Sequence, residues 1–318
     1  MKRKLVKQGG SALTVTLPSA WAKRCGLKPG DEIDMEENGK TVIISAENQN
    51  TRAKKACMSL DGLNWTIINR YLEILYRTGI EEITLTYTKN TVPFYLYKKQ
   101  VPIDQFLDQI IKRFIGLEVV SHTQGKIVIQ KLVKAENLEK ADVLKHRIYF
   151  LIKETLDEFK KGMGKDFKKF NETMYERHDN VVKFALHLSR IVHLSDKSED
   201  EKTQTLAVID SIHKTMDKLR HTSMRVAEMK KITPKIKSIL SEIFAFYISQ
   251  FDVILKKDYN LKDLDDMIKR RSDLVNKVNS EKLTPEEARV LSDCKILLDT
   301  FNEFTSYYAA MHLSEAME

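Results

Sequence analysis

Proline and glycine are scarce in this 318-residue chain, at six and eleven, and cysteine is scarcer still at three. So few breakers, with 42% hydrophobic residues, exclude a disordered or low-complexity chain and leave enough apolar side chain for packed cores. Cys25, Cys57 and Cys294 stand singly, with no CxxC pair. That excludes a cysteine zinc site and fits a reducing, cytoplasmic setting. No apolar run approaches the roughly 18–20 residues of a membrane span, so no membrane insertion is expected. The basic opening leads into no apolar stretch either, so a secretory leader is not expected. Also missing are a Gly-rich phosphate loop and any nucleophile–base–acid pattern. The histidines (His122, His146, His178, His187, His193, His213, His221 and His312) are scattered mostly over helical stretches, and no enzyme is expected.

What the chain does have is positive charge in one place. Of a net +8, residues 1–55 hold eleven Lys/Arg against six Asp/Glu, a surplus of five. Seven basic residues precede the first acidic one, Asp31. A concentrated positive field suits a polyanion, because each neutralised phosphate releases counterions. The plainer reading of the same charge is a solvated basic arm.

Three regions follow along the chain. In residues 1–50, Leu13, Val15 and Leu17 alternate with Thr14 and Thr16, the period of a half-buried strand. Pro18 stops that strand, Ser19 starts a short helix over 20–25, and Gly26 ends it. A second hairpin turns at Asn38-Gly39, a dipeptide suited to a type I′ turn. Fewer than 50 residues of this kind bury too little apolar surface to stand alone, so pairing with a second copy is expected.

The stretch KLVKQGGSALTVTLPSAWAKRCGLKPGDEIDM (4–35) resembles the swapped-hairpin AbrB/SpoVT fold of prokaryotic transcription factors and antitoxins. The resemblance implies a β-barrel made by two interleaved chains, hence a homodimer, with the basic residues of the first strand and helix against DNA. Position by position these are Arg3, Lys4, Lys7, Lys23 and Arg24, with Ser11 as a phosphate contact. Many members carry an Arg just after the turn, where this chain has Gly10-Ser11.

Residues 60–133 read as a small α+β module: a helix through Trp65, Ile68, Leu72 and Leu75, the strand EITLTY, a helix from Ile103 to Phe114, and a hairpin around TQGK. Packing is the one role assigned to it. From 138 to 318 alternation disappears, and six amphipathic helices are predicted near 139–161, 165–193, 202–229, 233–257, 261–280 and 285–313. They read as three helices repeated: ERHDNVV (176–182) answers RRSDLVN (270–276), and DKLRH (217–221) answers DTFNE (299–303). The whole is an α+β multidomain chain with an all-α C-terminal pair of three-helix bundles.

Acid and imidazole groups three or four apart on a helix point from one face. Glu176/Asp179, Asp217/His221 and Asp299/Glu303 are such pairs, suited to Zn, Fe, Mn or Mg, although acid pairs are also common on solvated helices. DKLRHTSMRVAE and DTFNEFTSYYAA resemble the repeated metal motif of the PhoU family of phosphate-uptake regulators. That resemblance implies the ligand role for Asp217, His221, Asp299 and Glu303, and a phosphate-transporter ATPase subunit as partner. The family's second acid is His221 in the first repeat, and Arg270 stands where the first repeat has Glu176. The ordered combination of the two resemblances is similar to archaeal phosphate uptake regulators. It implies a DNA-binding regulator of phosphate uptake whose helices sense metal, phosphate or transporter state. A regulator that docks on a transporter without DNA, and a toxin-neutralising antitoxin, are the alternative readings.

Overall fold

The computed structural model describes residues 2–10, 12–38, 41–46, 54–132, 140–195, 197–255 and 261–311. Ser11, Gly39 and His312 lie outside the described residues. Contacts divide the chain into two compact units, Met1–Lys54 and Lys55–Glu318.

In the first unit β1 (Val6–Gln8) pairs antiparallel with β2 (Ala12–Thr14), Lys7 opposite Leu13. Gly9 makes the turn between them at φ +71°, a conformation that glycine adopts without cost. Pro18 at the N-cap presets the entry to α1 (Ser19–Arg24), and Lys23 and Arg24 sit in its last turn, where cations suit the helix dipole. A second hairpin, β3 (Ile33–Asn38) with β4 (Thr41–Ala46), pairs Asn38 with Thr41. Each hairpin is its own two-stranded sheet, and no closed barrel forms within one chain among the described residues. Among the residues of this unit whose side chains are described, none is buried. Leu5, Val6, Leu13, Met35 and Val42 each leave more than half of their surface exposed.

The second unit opens with β5 (Lys55–Ser59), a strand that sequence periodicity does not reveal. Its exposed-to-intermediate burial alternates only weakly because it is an edge strand, and its place comes from parallel pairing with β6. Then come α2 (Trp65–Arg77), β6 (Glu82–Thr86), β7 (Thr91–Phe94), β8 (Lys99–Pro102), α3 (Ile103–Ile111), β9 (Leu117–Thr123) and β10 (Lys126–Lys131). The main sheet has the order β5-β6-β10-β9, while β7 and β8 form a separate ribbon. The core is Ile68, Leu72, Ile83, Leu85, Phe106, Ile127 and Ile129, all fully or almost fully buried.

Eight helical segments follow: α4 (Lys140–Gly162), α5 (Phe167–His193), α6 (Glu199–Glu228), α7 (Pro234–Leu255), α8 (Leu261–Ser280), α9 (Pro285–Cys294), α10 (Ile296–Asp299) and α11 (Phe301–Met311). Side-chain caps mark several starts: Asp166 caps α5, and the capping boxes Ser198/Glu201 and Thr284/Glu287 open α6 and α9. The last helix expected near 285–313 is therefore three pieces. Buried Gln250 on α7 donates Nε2 to the carbonyl of Leu297 at 3.0 Å, and Thr300 Oγ1 donates to the same carbonyl at 3.0 Å. These bonds satisfy that carbonyl outside the helical ladder where the segments meet. As a result Asp299 and Glu303 lie on different segments rather than on one continuous helix.

The module and the helices belong to one unit, joined chiefly by α2 lying on α5. Arg190 of α5, 1% exposed, donates Nη1 to the carbonyls of Tyr76 (2.6 Å) and Ile80 (3.0 Å) at the C-terminal end of α2. Arg77 donates Nε to Ser189 Oγ at 2.7 Å and pairs with Asp210 of α6 at 2.9 Å. Gly79, at φ +87°, lies so close to Leu194 that an added Cβ would stand 2.6 Å from its Cδ2. The module thus contributes one wall of the site described next.

Candidate functional sites

On the first unit Arg3, Lys4, Lys7, Lys23 and Arg24 are all exposed. Among the described residues none of the five is placed in an ion pair. Lys4 and Lys7 lie in or just before β1, and Lys23 and Arg24 close α1. Side chains of this kind position a protein on phosphates, whereas base contacts specify a site.

In the second unit a different constellation forms, centred on a residue that sequence spacing did not select. His178 of α5 is 3% exposed, and both ring nitrogens meet carboxylates. Nδ1 lies 2.9 Å from Asp179 Oδ1, and Nε2 lies 3.1 Å from Asp217 Oδ1 of α6. An ionised carboxylate accepts hydrogen bonds and donates none, so each contact is one in which the ring nitrogen is the donor. Asp179 is held in turn by Arg113, just beyond α3 of the module, at 2.8 Å. Arg220 approaches Asp217 Oδ1 at 3.4 Å. A five-member polar chain thus runs Arg113–Asp179–His178–Asp217–Arg220.

His213 lies one turn before Asp217 on α6, its ring centroid 6.2 Å from that of His178. Single ligand atoms of His178, His213 and Asp217 all lie within 4.8 Å of one another. Burial would raise the Asp217 carboxyl, but the hydrogen bond and charge of His178, with His213 and Arg220, outweigh it and hold the group far below its ordinary range. Burial pushes His213 down, against the opposing pull of Glu73 and Asp217, which favours a neutral imidazole with a lone pair to offer. The three groups line a cleft of about 200 Å³ whose other wall is the module, with Trp65 stacked on Phe94 at 4.8 Å and with Arg70.

The six acids and imidazoles selected from the sequence are dispersed by comparison. Asp179 and Asp217 meet through His178, whereas Glu176 is exposed. His221 is half-buried on α6, its pKa lowered by burial and by Arg220, and it does not belong to the cluster. Asp299 is exposed and pairs with Arg271 at 3.2 Å. Glu303 has a buried Oε2 without a hydrogen-bond partner. Shifting by the repeat offsets places Ser272 where the first half has His178, and Lys295 where it has His213. An alcohol and an ammonium stand there in place of the two imidazoles, and His178, His213 and Asp217 are the one such cluster among the described residues. Its sequence signal was the pair His213/Asp217 at i, i+4, and it becomes a cluster only when α5 brings His178 alongside.

Residues 6–52 match a family model described as antidote-toxin recognition MazE, bacterial antitoxin. The first unit is thus MazE/AbrB-like, and the match ends before β5. No curated protein and no solved structure matches the chain. None of the described helices is long and apolar enough to cross a membrane.

Proposed function

We propose that this protein is a DNA-binding transcriptional regulator that pairs through its MazE/AbrB-like unit, with the helical unit sensing the state of phosphate uptake. One observation carries the DNA half: the family match over 6–52 includes Lys7, Lys23 and Arg24 and begins just after Arg3 and Lys4, and all five side chains are exposed. The uncovered apolar side chains of that unit support pairing, because a second copy offers the surface they lack. The phosphate half rests on the PhoU-like repeat of the helices. A ligand in the helical unit alters DNA binding only if it prefers one arrangement of the protein over another.

DNA titration across salt concentrations tests the proposal. Wild-type affinity is expected to fall linearly in log–log form, and each phosphate-contacting lysine removed should flatten the slope by about 1. Lys4→Glu with Lys7→Glu should abolish binding near physiological salt. Affinity that ignores salt, or that survives the double reversal, refutes it. Genome-wide footprinting under phosphate-rich and phosphate-poor conditions tests the phosphate half separately, since peaks away from phosphate-transport genes leave DNA binding intact and remove the assignment.

A second reading is favoured by the wording of the family match, that this unit neutralises a toxin. Toxin capture by the Lys4/Lys7 double variant, without DNA binding by wild type, would select it. Docking on a phosphate-transporter ATPase subunit that survives the same reversal would instead select a regulator that uses the first unit only to dimerise.

A further inference from the structure

We propose that His178 Nε2, His213 and the Asp217 carboxylate bind one divalent transition-metal ion of the zinc or iron(II) class. This stands apart from the DNA reading, and of the residues selected by spacing it takes Asp217 alone as a ligand. Four observations carry it.

The first is distance. Zinc takes imidazole nitrogen at ~2.0–2.1 Å and carboxylate oxygen at ~2.0–2.2 Å, so two such ligands on a tetrahedral ion stand ~3.3 Å apart. His178 Nε2 and Asp217 Oδ1 are separated by 3.1 Å, and the third ligand atom falls within the same 4.8 Å cluster. The second is the partner on the far nitrogen. Metal-bound histidines almost always donate their other N–H to a carboxylate or carbonyl, which fixes ring and tautomer. Asp179 accepts from Nδ1 at 2.9 Å and is itself anchored by Arg113 at 2.8 Å. The third is chemistry. Two imidazoles with one carboxylate suit zinc or iron(II), and disfavour magnesium and calcium, which prefer oxygen. The fourth is access: all three ligands line one cleft, so positions that the protein leaves open can take water or an anion.

The ion would stand where the contact between His178 Nε2 and Asp217 Oδ1 now runs, while Nδ1 keeps its bond to Asp179. The ion also competes with Arg220, 3.4 Å from Asp217 Oδ1, for that carboxylate. Removing Arg220 is therefore expected to tighten the site. Because Arg113 belongs to the module and Asp179 to α5, the ion and the docking of the module share one hydrogen-bonded chain.

The experiment uses full-length metal-free protein and cobalt(II) as a visible-absorbing probe, with zinc(II) as competitor. One cobalt per chain is expected, with d–d bands displaced by zinc. His213→Gln and Asp217→Asn should abolish the signal, and Asp179→Asn should weaken binding by ~10–100-fold. Arg220→Gln should bind more tightly than wild type, a result that loss of fold cannot mimic. His221→Gln and Asp299→Asn should bind as wild type does. A signal that survives His213→Gln and Asp217→Asn overturns the proposal, as does Arg220→Gln binding no tighter than wild type. Far-UV circular dichroism of each variant separates lost ligands from lost helices.

Discussion

At the scale of single residues, environment rather than identity decides behaviour, and the three cysteines illustrate it. Cys57 is exposed on the edge strand β5, whereas Cys294 is buried at the end of α9, its thiol pushed up to about 12 by that burial. The thiolate is the reactive form, so Cys294 is expected to resist an aromatic disulfide reagent in native protein and to react once denatured, while Cys57 reacts at once. Mass mapping of the labelled peptides checks this, and rapid native labelling of Cys294 would contradict the burial. The same contrast explains what was legible in the candidate site. Asp217 is conspicuous in sequence because it has a partner four residues away, but its chemistry depends on His178, 39 residues upstream on another helix. His178 sits inside ERHDNVV, yet among the described histidines burial is what distinguishes it. Periodicity reports which face of a helix a residue occupies, and not which side chain of another helix it will meet.

At the scale of elements, helices with strong 3.6-residue periodicity were legible nearly to their ends, since capping residues announce them. Thr284 and Glu287 open α9 in this way. Thr284 N–H donates to Glu287 at 2.9 Å and Thr233 Oγ1 donates to it at 2.8 Å. The bond from Thr284 first, then that from Thr233, holds the carboxyl below its usual range. A depressed carboxylate contributes stability that is present above its unfolded value, about 4.3, and is lost as pH falls through the folded one. The urea midpoint is therefore expected to fall between neutral pH and pH 3, and Glu287→Gln should show a shallower fall. An identical pH profile for the variant would remove the cap from the account. What stayed illegible was decided by distant partners. The division of the last helix follows from Gln250, 47 residues from Leu297, and β5 exists because β6 offers it an edge.

At the scale of the whole molecule, the two units differ in self-sufficiency. The second has a continuous core from the module sheet through the helices, whereas the first has no buried residue among those whose side chains are described and leaves Leu13 65% and Val42 56% exposed. So little buried apolar surface is too small to hold a fold by itself. Full-length protein is expected to be a dimer by light scattering, with a melting temperature that rises with protein concentration. Leu13→Asp with Val42→Asp should yield monomers whose helical unit still melts cooperatively, and a dimer that persists in that variant would place the pairing surface elsewhere. The boundary near residue 55 was legible because the surplus of positive charge ends there. The clamping of the module onto α5 and α6 was not, since Arg190, Arg77 and Arg113 read as ordinary surface arginines until the fold buries or pairs them. The charged chain from Arg113 to Arg220 has a further consequence for how this protein can drift. Its five members come from three separate stretches, and each is held by its neighbour, so a change in one alters the worth of the rest. Across diverging descendants those positions are expected to be kept together or lost together, a single heritable character written in scattered places.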